Sequence, residues 1–183
     1  MKRVSHTLTA LTGKLFCQTL KEVVFRRALE TAADHELTDV QYFCLRFLYL
    51  HREASIGAVA EGLGISDAAS TKLVNRLVIK GLVDRREDPK DRRVLQLSLT
   101  EAGETLTRKV REKEDEQFAT IIGRMSPEDQ RKLHDGLASF LAAALTEKEQ
   151  VDRVCLRCGW MHDDECPGNQ VYREIVGHNK TKV

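Results

Sequence analysis

The sequence predicts a mainly helical chain with one small β-hairpin, followed by a short cysteine-rich tail. Long stretches rich in Ala, Leu, Glu, Lys and Arg favour helices, and only 3 of the 183 residues are Pro. Near residues 94–99 the apolar period changes from that of a helix to the period of two that is typical of a strand. Three of the five cysteines fall between Cys155 and Cys166, which sets the tail apart from the rest of the chain.

Composition places the chain among globular proteins, with 42% hydrophobic and 31% charged residues. The N-terminus lacks the continuous apolar core of a signal peptide, and no apolar run approaches the ~18 residues of a membrane span. We therefore expect a cytoplasmic protein with no membrane partner. Disulfides rarely persist in that compartment, so the cysteines need another explanation.

The first predicted helix covers residues 8–33. Its apolar residues recur at helical spacing: Leu8, Leu11, Leu15, Val23 and Leu29. This helix is more apolar than a single exposed helix needs to be, which predicts that it is buried against a partner.

A helix-turn-helix is predicted in the middle of the chain. Thr38 and Gln41 form a capping box that begins a densely apolar core helix. Two shorter helices follow, over residues 55–62 and 66–80, and Gly81 ends the second because it tolerates a left-handed cap. A short glycine-containing turn between two such helices is typical of a helix-turn-helix.

A β-hairpin wing follows directly. The first strand begins at Leu82, residues 85–93 form a polar loop, and residues 94–99 form the second strand. Two longer helices are predicted next, from Thr100 towards Gly123 and from Ser126 to about Leu145. The fold class is therefore a mainly α winged helix-turn-helix with a small tail.

Local charge points to nucleic acid although the net charge of the chain is only +1. Residues 66–100 contain eight Lys or Arg and five Asp or Glu, an excess that a phosphate-binding face needs. Lys72 and Arg76 lie one helical turn apart and can grip phosphates. Arg92 and Arg93 lie on a thin hairpin that can enter a narrow minor groove. We therefore predict a double-stranded DNA partner.

The order of motifs is specific. The informative runs are Asn75-Arg76-Leu77, Lys80-Gly81-Leu82-Val83, Asp88-Pro89-Lys90-Asp91-Arg92-Arg93, and Leu97-Ser98-Leu99-Thr100 followed by Gly103. At these intervals they resemble the MarR (multiple antibiotic resistance regulator) family of winged-helix repressors, over roughly residues 8–145. The resemblance implies an intertwined homodimer and a bacterial-type transcriptional regulator whose second helix-turn-helix helix enters the major groove.

Site residues follow from the same resemblance. It makes Arg93 the minor-groove arginine and Asp91 the residue that shapes the wing. The positions that it turns towards DNA are Ser66, Ala69, Ser70, Lys72 and Arg76. Val78 and Ile79 stand where family members usually carry charge, which suggests an extra apolar contact. The chain then divides into a dimerisation helix (1–35), a DNA-binding domain (36–100), further dimerisation helices (101–146) and the tail (147–183).

The tail has the pattern C-x2-C-x3-H-x3-C, formed by Cys155, Cys158, His162 and Cys166. Thiolate and imidazole ligands at this spacing favour zinc, with His178 as an alternative fourth ligand, and the spacing resembles that of a zinc knuckle. Two alternatives stay open. The three cysteines with a fourth ligand suit an iron–sulfur cluster, and Cys155 with Cys158 suits a metal-free thiol pair.

Three further expectations complete the prediction. Cys17 and Cys44 lie in apolar helices and are predicted to be inert core residues.

No nucleophile elbow, P-loop or Rossmann glycine pattern is present, so we predict that the chain is not an enzyme. A protein-interaction adaptor and a metalloenzyme that uses the tail are the alternatives, and the family resemblance also implies a small-molecule effector.

Overall fold

The computed structural model describes residues 5–33, 37–87, 95–159 and 163–180. The helices are α1 (His6–Thr19), α2 (Arg27–Ala33), α3 (Asp39–His51), α4 (Ile56–Leu63), α5 (Asp67–Ile79), α6 (Glu101–Ile122), α7 (Pro127–Ala144), α8 (Lys148–Cys158) and α9 (Pro167–Val176). A π-helical segment, Leu20–Arg26, joins α1 to α2. The strands are β1 (Ala54–Ser55), β2 (Val83–Glu87) and β3 (Leu95–Leu99).

The first helix runs through α1, the π-helical segment and α2, as its apolar spacing predicts. Leu8, Leu11 and Leu15 are 57%, 58% and 69% exposed in the single chain, so the described residues leave more than half of each side chain uncovered. Cys17 on the same helix is also exposed, and the prediction that it is a core residue is wrong for the isolated chain. Within the described residues, no helix has the length and apolar character needed to cross a membrane.

The main core lies where α3 packs against α4, α5, α6 and β3, and α2 packs on α6. Helix α3 begins at the predicted capping box, in which the Thr38 Oγ1 accepts from the Gln41 amide at 3.3 Å and the Gln41 side chain accepts from the Thr38 amide at 3.0 Å. Tyr42 and Leu45 of α3 are fully buried. Cys44 is buried as predicted, and its burial raises the pKa of its thiol to about 12.

The sheet has three antiparallel strands in the order β1-β3-β2. The β2–β3 pairing runs from Val83 opposite Leu99 to Glu87 opposite Leu95, so the first strand extends three residues into the segment that was expected to be loop. The predicted wing residues Asp91, Arg92 and Arg93 lie outside the described residues.

The tail folds as two helices, α8 and α9, which we call the cysteine hairpin (residues 147–180). Its small core is formed by Val151, Val171 and Tyr172 together with Leu145 at the end of α7. Gly159 ends α8 in a left-handed conformation, with φ of 76°. Cys155 and Cys158 both precede Gly159 on the helix, so no turn separates these two cysteines.

Candidate nucleic-acid interface

Helix α5 presents one buried and one exposed face. It begins at Ser66, whose Oγ accepts from the Ala69 amide at 3.3 Å, and it is followed by Gly81 with φ of 69°. The buried face consists of Ser70, Leu73, Val74 and Leu77. This face packs against α4 and α3, so the opposite face of α5 is directed outwards.

The exposed face carries small and basic side chains. Ala69, Lys72 and Arg76 are exposed there, as a role in DNA contact requires. Val78 and Ile79 continue the exposed surface at the end of α5, and Ile79 is 85% exposed. Small side chains near the start of the helix leave room for close approach of the backbone to a partner.

Ser70 departs from its predicted role. Its side chain is completely buried, and its hydroxyl donates to the Ile56 carbonyl oxygen at 3.0 Å. The prediction that Ser70 faces DNA is therefore wrong: the residue ties α5 to the start of α4. A buried hydroxyl needs such a partner because an unpaired one would lose its hydrogen bonds to water without compensation.

A side-chain contact that the sequence did not predict links the wing to α5. The Arg85 guanidinium on β2 donates to the Asn75 Oδ1 at 2.6 Å. The two residues are ten positions apart, and Asn75 was noted in the family motif without a structural role. This bond ties the first strand of the wing to α5.

The base of the wing is locked by a second set of bonds. The Thr100 Oγ1 donates to the Gly81 carbonyl oxygen at 2.7 Å and accepts from the Gly103 amide at 3.0 Å. A Cβ on Gly103 would overlap the Leu82 carbonyl oxygen, so only glycine allows α6 to approach the backbone of Leu82 this closely. The Leu-Thr-x-x-Gly motif therefore holds both strands of the wing to the start of α6.

Comparison with known proteins decides the family. The profile described as "MarR family" matches residues 35–94. The HTH-type transcriptional regulator YfiV of Bacillus subtilis is 32% identical over 150 residues, which cover 76% of this chain and 93% of YfiV. The chain belongs to the MarR family.

Further comparisons agree with this MarR-family assignment. The HTH-type transcriptional repressor MdtR of Bacillus subtilis is 28% identical over 137 residues, covering 75% of this chain and 88% of MdtR. The crystal structure of Rv1404 from Mycobacterium tuberculosis superposes with a TM-score of 0.71 at 26% identity, over 78% of this chain and 97% of that one. The protein is thus a DNA-binding transcriptional regulator with a winged-helix fold and, like these relatives, not an enzyme.

The MarR-family fold here carries the cysteine hairpin as an addition, with two of its thiols around one glycine. The Cβ position that Gly168 leaves vacant is 3.4 Å from the Cys155 Sγ and 3.7 Å from the Cys166 Sγ. Burial, and then the neighbouring Cys158, raise the pKa of the Cys155 thiol. In the described part of the chain, no group of three or more His, Cys, Asp or Glu side chains is already arranged to hold a metal. His162 lies outside the described residues.

A polar network that sequence reasoning missed holds the hairpin together. Asn169 is fully buried; its side-chain amide donates to the Asp164 carbonyl oxygen at 3.0 Å and its Oδ1 accepts from the Lys180 amide at 2.8 Å. The Lys180 ammonium pairs with the Asp152 carboxylate and lies 5.2 Å from the centre of the Tyr172 ring. These partners lie up to 28 residues apart, so no local pattern indicates them.

His178, the alternative ligand, contacts other groups. Its Nδ1 is 2.9 Å from the Asn179 carbonyl oxygen, and its ring meets the edge of Tyr172 at 6.0 Å. Its role as a metal ligand stays a prediction.

A cavity of about 560 Å³ opens between the first helix, α3 and α6. It is lined by Leu20, Lys21, Val24, Phe25, Phe43, Arg46, Glu114, Asp115 and Phe118. The Tyr42 hydroxyl donates to the Glu114 Oε2 at 2.9 Å beside this cavity. Burial raises the pKa of both the Tyr42 hydroxyl and the Glu114 carboxyl. Burial therefore destabilises the ionised form of Glu114.

Proposed function

We propose that this MarR-family protein is a homodimeric repressor that binds a pseudo-palindromic operator. The observation that supports this proposal is the exposed face of α5, which carries Ala69, Lys72 and Arg76 and is tied to the wing by the Asn75–Arg85 hydrogen bond. A helix with such a face fits the major groove, and its basic side chains neutralise phosphates. The name of the relative MdtR, a transcriptional repressor, supports the direction of control.

The proposed dimer forms through the exposed apolar side chains of the first helix and α7. Leu8, Leu11 and Leu15 lie on α1, and Phe140 on α7 is 70% exposed. Covering such side chains contributes roughly 1.5–3 kcal/mol for each one that becomes fully buried. Two copies joined in this way place two α5 helices for half-sites about one DNA turn apart.

The wing tips complete the proposed contact. Arg92 and Arg93 enter the minor groove beside each half-site, and Asp91 keeps the wing in shape. This part of the proposal rests on the family resemblance and on the orientation of β2 and β3.

The test is selection of bound duplexes from a random 30-base-pair library, followed by titration of the recovered duplex. Arg76→Ala is expected to weaken binding and to lower the slope of log K against log salt by about one, because one phosphate contact is lost. Arg153→Ala, which removes an exposed charge on α8, is the matched control and is expected to leave both quantities unchanged. Equal binding by the Arg76 variant, or failure to recover any duplex, would favour a winged-helix adaptor.

We also propose that the cysteine hairpin holds one zinc ion through Cys155, Cys158 and Cys166, with His162 as the fourth ligand. Two thiols already face the space above Gly168, and three sulfurs with one imidazole form a ligand set that zinc prefers. Cys17 and Cys44 lie in the first helix and in the main core, so an iron–sulfur cluster would need a fourth ligand that is not cysteine. A metal-free thiol pair at Cys155 and Cys158 is the other alternative.

Metal analysis of protein purified without oxygen tests this site. About one zinc per chain and no visible colour are expected, and Cys166→Ser should lose the metal. Iron with sulfide and a brown colour would instead support a cluster, and a metal-free protein would leave the thiol pair.

The cavity beside Tyr42 and Glu114 is the proposed effector site. Its volume lies within the ~300–1,000 Å³ of small-molecule sites, and its wall is mostly apolar. The fluorescent dye anilinonaphthalene sulfonate serves as a probe with an apolar body. Wild-type protein should bind it, whereas Val24→Phe should reduce binding several-fold by filling the cavity; equal binding by both would place the dye elsewhere.

A further inference from the structure

Two hydroxyl groups near the start of α5 are already engaged within the protein. The Ser70 hydroxyl donates to the Ile56 carbonyl oxygen at 3.0 Å, and the Thr71 Oγ1 donates to the Asp67 carbonyl oxygen at 2.8 Å. A hydroxyl has one hydrogen to donate. Neither side chain therefore has a hydrogen left to donate to the edge of a base.

The two polar side chains that begin α5 serve the helix itself. The Ser66 Oγ caps it by accepting from the Ala69 amide at 3.3 Å. Asp67 stands in the first turn, where the helix dipole favours a negative charge. Its carboxylate only accepts hydrogen bonds, and phosphates repel its charge. Base recognition by the first turn must therefore come largely from other side chains.

Asn75, two turns further along α5, is tied to the wing. Its Oδ1 accepts from the Arg85 guanidinium at 2.6 Å. Asparagine recognises adenine by accepting through this oxygen while it donates through its amide nitrogen. Contact of Asn75 with adenine would therefore have to compete with its bond to Arg85.

Two exposed methyl groups remain on the first turn of α5, those of Ala68 and Ala69. The first residues of the recognition helix are the ones that contact base edges in a helix-turn-helix, whereas Lys72 and Arg76 are assigned to phosphates above. A methyl group neither donates nor accepts a hydrogen bond. In the major groove its apolar counterpart is the C5 methyl of thymine, which the other three bases lack.

We propose that the first turn of α5 selects thymine by apolar contact. The methyl groups of Ala68 and Ala69 pack against the C5 methyl of a thymine in each half-site. The inference rests on the operator binding proposed above and names a base that the operator must carry. The short alanine side chains also let the helix backbone approach the base edges closely enough for two methyl groups to touch.

Removal of the thymine methyl tests this contact on the DNA. Deoxyuridine lacks only that methyl, so base pairing and the hydrogen-bonding groups of the major groove are unchanged. Each thymine in one half-site of the selected duplex is replaced in turn, and binding of the full-length protein is titrated. We expect at least one replacement to weaken binding about fourfold, the effect of leaving one methyl group unburied. Replacements outside both half-sites should leave binding unchanged.

Removal of the alanine methyl tests the same contact on the protein. The variants are Ala68→Gly and Ala69→Gly, with Ala119→Gly at an exposed position of α6 as the matched control. Each variant is compared on the thymine and deoxyuridine duplexes, so any loss of helix stability affects both titrations equally. In at least one of the first two variants the deoxyuridine penalty should fall below about twofold, whereas Ala119→Gly should keep the full penalty.

The outcomes separate this inference from the proposal on which it rests. A selected duplex that tolerates deoxyuridine at every thymine of both half-sites would overturn thymine selection and leave operator binding standing. The same penalty in wild type and in both α5 glycine variants would also overturn it, because another group would then contact the methyl. Failure to recover any duplex would overturn operator binding itself.

Discussion

The helix-turn-helix and the cysteine hairpin differ in the contacts that hold them. The first is stabilised by helix caps, by the hydrogen bond between Thr100 and Gly103, and by a core that α2, α3, α5, α6 and the sheet share. The second has four buried apolar side chains and relies on a buried asparagine and a lysine–aspartate pair. Because apolar burial is the main favourable term in folding, the hairpin should open at a lower free energy than the rest of the chain.

This difference bears on the zinc site proposed for the hairpin. An element of low local stability responds to a ligand, since the binding free energy is comparable with the free energy of opening. The helix-turn-helix needs the opposite property, because its exposed face must keep one shape to match DNA.

Gly103→Ala should destabilise the whole chain by about 3 kcal/mol, because the new Cβ would overlap the Leu82 carbonyl oxygen at the base of the wing. Gly57→Ala on α4 is the control, since the nearest atom to its new Cβ is the Ser55 Oγ at 3.9 Å. The measurement is urea unfolding followed by far-UV circular dichroism. If both variants lost the same stability, the close approach at Gly103 would not matter.

Asn169→Ala should lower the local stability of the hairpin by about 2 kcal/mol, since it leaves the Asp164 carbonyl oxygen and the Lys180 amide without their buried partner. Hydrogen exchange of α8 and α9 amides measures the loss. Amides of α3 should keep their protection, because the two cores are separate. The exposed Gln170→Ala is the amide control. Equal losses in α3 and α9 would show that hairpin and main core unfold together.

Ser70→Ala should cost about 1 kcal/mol of global stability, the typical value of one hydrogen bond, by removing the bond to the Ile56 carbonyl oxygen. Because the side chain is buried, DNA affinity per folded molecule should change little. Titration of the selected duplex at a temperature where both proteins are folded makes the distinction. A large loss of DNA affinity at unchanged stability would instead show that the Ser70 side chain contacts DNA.

The winged helix-turn-helix was largely predictable because its signals are local. The predicted Thr38–Gln41 box is confirmed by its hydrogen bonds. The Ser66–Ala69 and Thr100–Gly103 hydrogen bonds likewise join residues only three positions apart. Helical period alone also placed most of the apolar residues of α3 correctly in the core. Local rules worked here because the residues that form each feature are neighbours in the chain.

The remaining features depend on contacts between distant residues. Family position placed Ser70 on the DNA-facing surface, whereas packing of α5 on α4 buries it. The cysteine spacing singled out the tail and resembles that of a zinc knuckle. The spacing did not indicate the two helices, α8 and α9, which pack together through apolar residues elsewhere in the tail. The Arg157 guanidinium on α8 lies 3.5 Å from the Glu61 carbonyl oxygen, and this contact has no local signal because Glu61 lies in another element 96 residues away.

The acid response of the hairpin is the smallest expected effect. Hydrogen bonds from Lys148 and then Lys180 lower the pKa of the Asp152 carboxyl below its usual value of 3.8. A carboxyl with a lowered folded pKa contributes stability above its unfolded pKa and loses that contribution as the pH falls through the folded pKa. The pairs are partly exposed, so water screens them and the contribution is modest.

In zinc-free protein at pH 7, the α8 and α9 amides of wild type should therefore be better protected from exchange than those of Asp152→Asn. The protection of the two proteins should converge below about pH 3.8. The Glu149→Gln variant, which removes a neighbouring carboxylate on α8 that makes no ion pair among the described residues, should follow wild type at every pH. If the difference between wild type and Asp152→Asn were the same at both ends of the pH range, the lysine–aspartate pairs would not stabilise the hairpin, and its stability would rest on Asn169 and the four apolar side chains.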